Sequence, residues 1–121
     1  MGLFDGTQLV LTQAMAGSSA RQQVIANNIA NANTPNYLRS DLDFRGQLEN
    51  AIEADNMDGL KNLTYQSATD TSSPVQANGN SVSVDGEMAT MSQNALDYQT
   101  LVEIANARLK MIASAINGAA S

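Results

Sequence analysis

A chain of 121 residues with only five aromatic side chains (Phe4, Tyr37, Phe44, Tyr65, Tyr98) and no Trp, Cys or His suits one thin-cored domain. It excludes disulfides, thiolate nucleophiles, Cys/His zinc sites and imidazole acid–base chemistry. The formal net charge of −6, with no basic patch to offset it, argues against nucleic acid or an anionic membrane surface as partner.

The first predicted element is a helix from Leu3 to about Ala32. Leu11, Met15, Ser18, Gln22, Ile25, Ile29 and Ala32 follow heptad spacing. Ser18 and Gln22 interrupt the stripe, and Gly17 costs about 1 kcal/mol against Ala in a helix interior. Thr7 is placed to cap the start. Between Gly6 and Leu38 the only charge is Arg21. An ordinary surface helix carries Glu/Lys pairs, so one clothed in amides and small side chains reads as packed by several neighbours. Pro35 ends the helix. Thr34-Pro35-Asn36-Tyr37 suits a turn with Pro second and a left-handed residue third. Residues 1–35 thus form one unit, a helix and its exit turn.

Residues 36–83 read as an irregular acidic middle. A short helix is predicted at Gln47–Ala54, with Leu48, Ala51 and Ile52 on one face. Short strands are predicted at Leu63–Gln66 and Ser81–Val84. Ser67–Asn80, rich in Ser, Thr, Asp, Asn and Gly, reads as a mobile loop.

Residues 84–121 carry an unbroken apolar heptad: Val84, Met88, Met91, Ala95, Tyr98, Val102, Ala105, Leu109, Ile112 and Ile116. A helix from Asp85 to Asn117 would be roughly 50 Å long. Asp85 is the predicted N-cap, Arg108 and Lys110 suit the C-terminal half of the helix dipole, and Gly118 marks the end. Leu96, Leu101, Ile104 and Met111 widen the apolar face. So long a stripe demands a partner. The fold expected is mainly α: long N-terminal and C-terminal helices pairing as a coiled-coil-like hairpin around an irregular middle with short β-strands.

No constellation for chemistry emerges. Asp41 and Asp43 read as solvated carboxylates, and Asp55–Asp58–Gly59 lacks the EF-hand ligand spacing. GxGxxG, P-loop and GxSxG patterns do not occur. No catalytic, cofactor-binding or metal residue is expected, and the chain reads as a non-enzyme. No run of roughly 18 apolar residues marks a membrane span. Met1–Gly6 has neither the basic nor the apolar region of a cleavable secretory signal.

The most specific stretch is Arg21–Tyr37. Its part Asn28-Ile-Ala-Asn-Ala-Asn-Thr-Pro-Asn-Tyr37 resembles the N-terminal signature of the flagellar axial proteins, the rod and hook family. That signature runs Asn-hydrophobic-Ala-Asn-Ala/Ser-x-Thr-Pro-Gly-Tyr. Here Asn36 replaces Gly, and Asn tolerates the left-handed region well. The short chain, the Asp41-Leu-Asp-Phe44 segment, and the stretches Asn78–Asp85, Glu87-Met88 and Asn94–Gln99 are similar to the proximal-rod members.

The resemblance implies a structural subunit of the bacterial flagellum basal-body rod, spanning the periplasm and built for cell motility. Such a subunit is exported unfolded by the flagellar type III apparatus, self-assembles by helix–helix packing, and transmits torque. Its free termini are disordered until assembly. Its partners would be like subunits, other rod and base proteins and the export apparatus, with no nucleic acid and no small-molecule substrate. On this reading Leu11, Met15, Ile25, Ile29, Met88, Met91, Tyr98, Val102, Leu109, Ile112 and Ile116 pack subunits together. Asn28, Ala30, Asn31, Thr34, Pro35, Asn36 and Tyr37 form the signature turn. Phe44-x-x-x-Leu48 matches the export-gate motif of early rod and hook substrates. A secreted helical-hairpin adaptor, binding a chaperone or effector, is the alternative.

Overall fold

The computed structural model describes residues 6–120, with side chains from 6 to 118. The first helix, α1, spans Gly6–Ala30, and the last, α4, spans Val84–Ala120. At 37 residues α4 is roughly 55 Å long. The two lie antiparallel, with Asn28 of α1 bonded to Glu87 and Ser18 to Asn94. Between them come strand β1 (Ser40–Asp41), helix α2 (Phe44–Glu53), helix α3 (Met57–Lys61) and strand β2 (Ala68–Thr69). The strands form a two-residue antiparallel ladder, with Ser40 opposite Thr69 and Asp41 opposite Ala68. The expected mainly helical fold is therefore observed, with α2 and α3 against one side of α1 and α4 along another.

Local chemistry sets the boundaries. Thr7 lies inside the first turn of α1 rather than before it, so it is not the cap. The Leu3 start expected for this helix lies outside the described residues. Helix α2 begins a turn earlier than expected because the Asp43 carboxylate accepts the Gly46 N–H at 3.0 Å. Asn56 caps α3 by accepting the Asp58 and Gly59 N–H groups. Asp85 is likewise not the cap of α4. The Ser83 hydroxyl accepts the Gly86 N–H at 3.2 Å, and Asp85 falls in the first turn, where its charge still favours the dipole. Gly118 does not end α4, which continues to Ala120.

Neither predicted strand forms. At Leu63–Gln66 the alternation is present, with Leu63 and Tyr65 half-buried and Thr64 and Gln66 exposed. No neighbouring backbone completes a ladder, and the Gln47 side chain instead bonds both the N–H and C=O of Gln66. Ser81 and Val82 are buried as extended chain entering α4. Ser67–Asn80 contains β2, an Asp70-centred turn and a turn from Gln76 to Asn80.

The apolar core is small. Ala14, Leu48 and Leu60 form its centre, with Leu9, Val10, Ala51, Leu63, Tyr65 and Leu101 around them. Phe44 and Tyr65 meet edge-to-face at 6.5 Å over Gly17. A Cβ on Gly17 would stand 2.6 Å from the Phe44 Cβ and 2.7 Å from the Tyr65 ring. The glycine that weakens α1 as an isolated helix is therefore the site where α2 approaches it.

Candidate functional site

Two features stand out beyond the core: a buried polar clasp at one end of the α1–α4 pair, and an exposed apolar face on α4. The clasp grows out of the signature turn. Asn36 takes φ 62, the left-handed geometry, and the Tyr37 N–H donates to Thr34 C=O at 3.3 Å. The Asn36 N–H donates to Asn78 C=O at 3.0 Å. Gly79 lies against Asn36 at φ 83, where an added Cβ would collide with the Asn36 side chain. The fully buried Asn80 amide donates to Asn31 C=O at 2.9 Å and Thr34 C=O at 2.8 Å. It thus gives a second donor to two carbonyls that each already accept one N–H of the turn, Thr34 N–H on Asn31 and Tyr37 N–H on Thr34.

Asn28 uses every valence of its amide. Its Nδ2 donates to Ser40 C=O at 2.7 Å and to Glu87 Oε1 at 2.8 Å. Its Oδ1 accepts the Ser40 N–H at 3.0 Å and the Tyr37 hydroxyl at 3.3 Å. Glu87, only 2 % exposed, also accepts from Arg39, whose Nη2 stands 2.9 Å from Oε1. The other arm of Arg39 reaches Asp70 at 2.7 Å, and Arg21 grips Asp41 through two bonds of 3.0 and 3.1 Å. Arg39 lies 3.9 Å from Asp41, which joins the two halves.

The electrostatics follow from these bonds. The Glu87 hydrogen bond raises the Arg39 guanidinium above its ordinary value, burial opposes this, and Asp70 adds to it. The Ser73 and Ser72 hydroxyls, the Ser72 N–H and Arg39 hold Asp70 well below the usual carboxylate range. Burial pushes Asp41 up, but the Arg21 bonds, the Leu42 N–H and nearby cations together bring it below its ordinary value. Among the described residues no cluster of His, Cys, Asp and Glu has a metal-binding arrangement. The carboxylates of the clasp, Asp41, Asp70 and Glu87, are each held by an arginine. What the clasp does is lock α1, the middle segment and α4 together.

The face that α4 turns toward α1 takes in only part of the heptad seam. Glu87, Asn94 and Ala105 are buried, and Leu101 is half-buried. Asn94 donates to Ser18 C=O and to Gln22 Oε1, each at 2.8 Å, and accepts from the Ser18 hydroxyl. Of the predicted seam, Ala105 is buried and Met91, Val102 and Ile112 are half-buried. Val84, Met88, Ala95, Tyr98, Leu109 and Ile116 remain exposed. On α1, Ile25 is fully buried, while Leu11, Met15 and Ile29 are half-buried and Ala30 is exposed. The polar groups of α1 account for the polar residues in that face. Ser18, Gln22 and Asn28 need polar partners, and an apolar stripe offers none. The overlooked signal was the seven-residue spacing of Glu87, Asn94 and Leu101, read together with the amide-rich surface of α1.

Phe44 and Leu48 are 3 % and 7 % exposed. Both belong to the folded interior.

The family model for "Flagella basal body rod protein" matches residues 9–37, which covers most of α1 and its exit turn. The flagellar basal body rod protein FlgB of Bacillus subtilis (strain 168) is 36 % identical, with 98 % of each chain covered. The chain belongs to the FlgB family. FlgB of Aeromonas hydrophila is 31 % identical over 95 % of this chain and 96 % of its own. FlgB of Escherichia coli (strain K12) is 28 % identical over 81 % and 83 %. The FlgB likeness therefore extends beyond α1 and the signature turn into the middle segment and α4, which the family model leaves unmatched. As a FlgB family member the chain is a component of the flagellar basal body rod, and no helix among its described residues is long and apolar enough to cross a membrane.

Proposed function

We propose that the chain is a proximal-rod subunit, exported unfolded by the flagellar type III apparatus and held in place by apolar contacts along α4. Torque then passes between like subunits and neighbouring rod and base proteins through packed helices. The observation that carries this reading is the exposed face of α4. Val84, Met88 at 55 %, Tyr98, Leu109 at 47 % and Ile116 at 61 % are exposed along one stripe of the helix, and Leu96 and Ile104 are open on its other sides. A face of that length costs solubility unless something covers it. The half-buried Leu11, Met15 and Ile29 on α1 would border the same contacts.

Burial of Phe44 and Leu48 supports the export part of the proposal. The pair can be read by an export gate only before the chain folds, so gate recognition and the native core exclude each other. The test is Leu109→Asp with Ile116→Asp in place of the parent chain. Both positions are exposed, so the isolated subunit keeps its helix content. Export continues, while rod incorporation and motility are lost. Normal motility would refute the proposal. A stable dimer indifferent to other rod proteins would instead fit the secreted adaptor.

A further inference from the structure

A groove of about 420 Å³ opens where the start of α1 meets the corner between α2 and α3. Val10, Ala51, Ile52, Met57 and Leu60 make it apolar, and Asp55 stands in its wall. Ile52 is 44 % and Met57 48 % exposed, large side chains left open beside a recess. No α4 residue lines it.

A matching shape lies elsewhere in the chain. Beyond Ile112 every described side chain of α4 up to Gly118 is exposed. Leu109, Ala113 and Ile116 share one side of this projecting end, at the spacing by which a helix seats in an apolar groove. Charge matches as well. Residues 104–118 contain two charges, Arg108 and Lys110, both positive. Residues 49–58 contain four, Glu49, Glu53, Asp55 and Asp58, all negative and all exposed. The chain's own α4 is one continuous helix laid along α1, and its end cannot turn back into the groove.

We propose that this groove takes the C-terminal end of α4 from a second copy of the chain. The inference rests on the subunit reading above and assigns one of its contacts. Leu109 and Ile116 of the incoming helix lie on Val10, Ile52 and Met57, while Lys110 faces Asp55 and Asp58. Groove and helix end are different surfaces, so the contact is heterologous. It leaves each copy with one site filled and one offered, and it propagates rather than closing unless rotation brings it round.

The absence of cysteine makes trapping clean. Ile52→Cys and Ile116→Cys are prepared as separate chains, mixed and oxidised, with Gln99→Cys replacing Ile116→Cys as the control. A 52–116 covalent dimer in clear excess over 52–99 is expected. Asp55→Lys with Asp58→Lys should reduce association by roughly fivefold, as sedimentation reads it, and Lys110→Glu on the incoming chain should recover it. Trapping no greater than the control refutes the inference. So does a 52–116 bond formed within a single chain carrying both cysteines, or charge changes without effect on sedimentation. Motility and basal-body content of the same variants separate the two proposals. A chain present in working basal bodies but never trapped at 52–116 sinks this contact alone, whereas a chain absent from basal bodies sinks the subunit reading.

Discussion

Replacing Glu87 by Ala removes the acceptor at the centre of the clasp. The carboxylate is 2 % exposed and accepts from Arg39 and Asn28. Breaking a buried pair by deleting one partner costs about 3–5 kcal/mol, because the surviving charge is left desolvated. Here Asp70 remains on Arg39 at 2.7 Å, which favours the low end, about 3 kcal/mol. The freed Asn28 donor still holds Ser40 C=O, so its loss adds about 1 kcal/mol at most. The total of about 3–4 kcal/mol is a large part of the roughly 5–15 kcal/mol that domains possess. The melting temperature should fall by about 10–15 °C. Glu87→Gln keeps an acceptor oxygen but sets an N–H against other donors, and about 2 kcal/mol is expected. Urea unfolding followed by far-UV circular dichroism measures both, with a lowered midpoint at unchanged slope. Replacing Arg39 and Glu87 together by Met should recover much of the loss. A Glu87→Ala chain within about 1 kcal/mol of the parent would refute the reasoning and mean that water reaches the site.

Three further outcomes follow from the geometry. Gly17→Ala forces Phe44 or Tyr65 to move and should cost about 1–3 kcal/mol in the same titration, although alanine favours an isolated helix. Asn80→Ala removes the side-chain donor from the Asn31 and Thr34 carbonyls, each of which keeps one backbone N–H, and should cost about 1 kcal/mol, with faster amide exchange around the signature turn. Asp70 and Asp41 have folded-state values below the ordinary carboxylate value of about 3.9, so their stabilisation is complete above that pH and is lost as pH falls toward the folded values. Melting temperature should hold from neutral pH to about 5 and decline below about 4, and Asp70→Asn should flatten that decline.

The long helices were legible because heptad spacing over many turns leaves few alternatives, and the turn because Pro35 and Asn36 restrict their own backbones. The middle was less so. Leu63 and Tyr65 alternate as strand residues do, yet a ladder needs a neighbour that local pattern does not supply. Helix α3 is five residues long, and its signal lies in the Asn56 cap rather than in any period. Residue type alone places polar residues such as Glu87 and Asn94 outside. Only the three-dimensional pairing with Arg39, Asn28 and Ser18 shows why they are inside. Gly17 could be read only as a cost until Phe44 and Tyr65 were seen against it.

Near the clasp, α4 places polar residues inward and large apolar residues outward. Glu87 and Asn94 are buried there while Met88 and Leu96 are exposed, and Leu109 and Ile116 are exposed farther along the helix. An apolar inward seam would tolerate sliding, since leucine and methionine pack in several registers. The amides do not. Displacing α4 by one turn along α1 would separate Asn94 from Ser18 and Gln22, and Glu87 from Asn28, leaving buried donors open at about 1–3 kcal/mol each. Polar pairing thus fixes register within the subunit, as a single buried Asn does in coiled coils. It also leaves Met88 and Leu96 uncovered within the subunit, open to the contacts proposed above, for which area rather than a unique bond pattern would supply the attraction. Exchanging Asn94 for Leu separates the two roles. The subunit should still form helix, but Ser18 and Gln22 lose their partner, register is no longer unique, and amide exchange should reveal slippage along α1. If Asn94→Leu instead leaves exchange unchanged along both helices, the clasp alone sets register and the mid-helix amides do not.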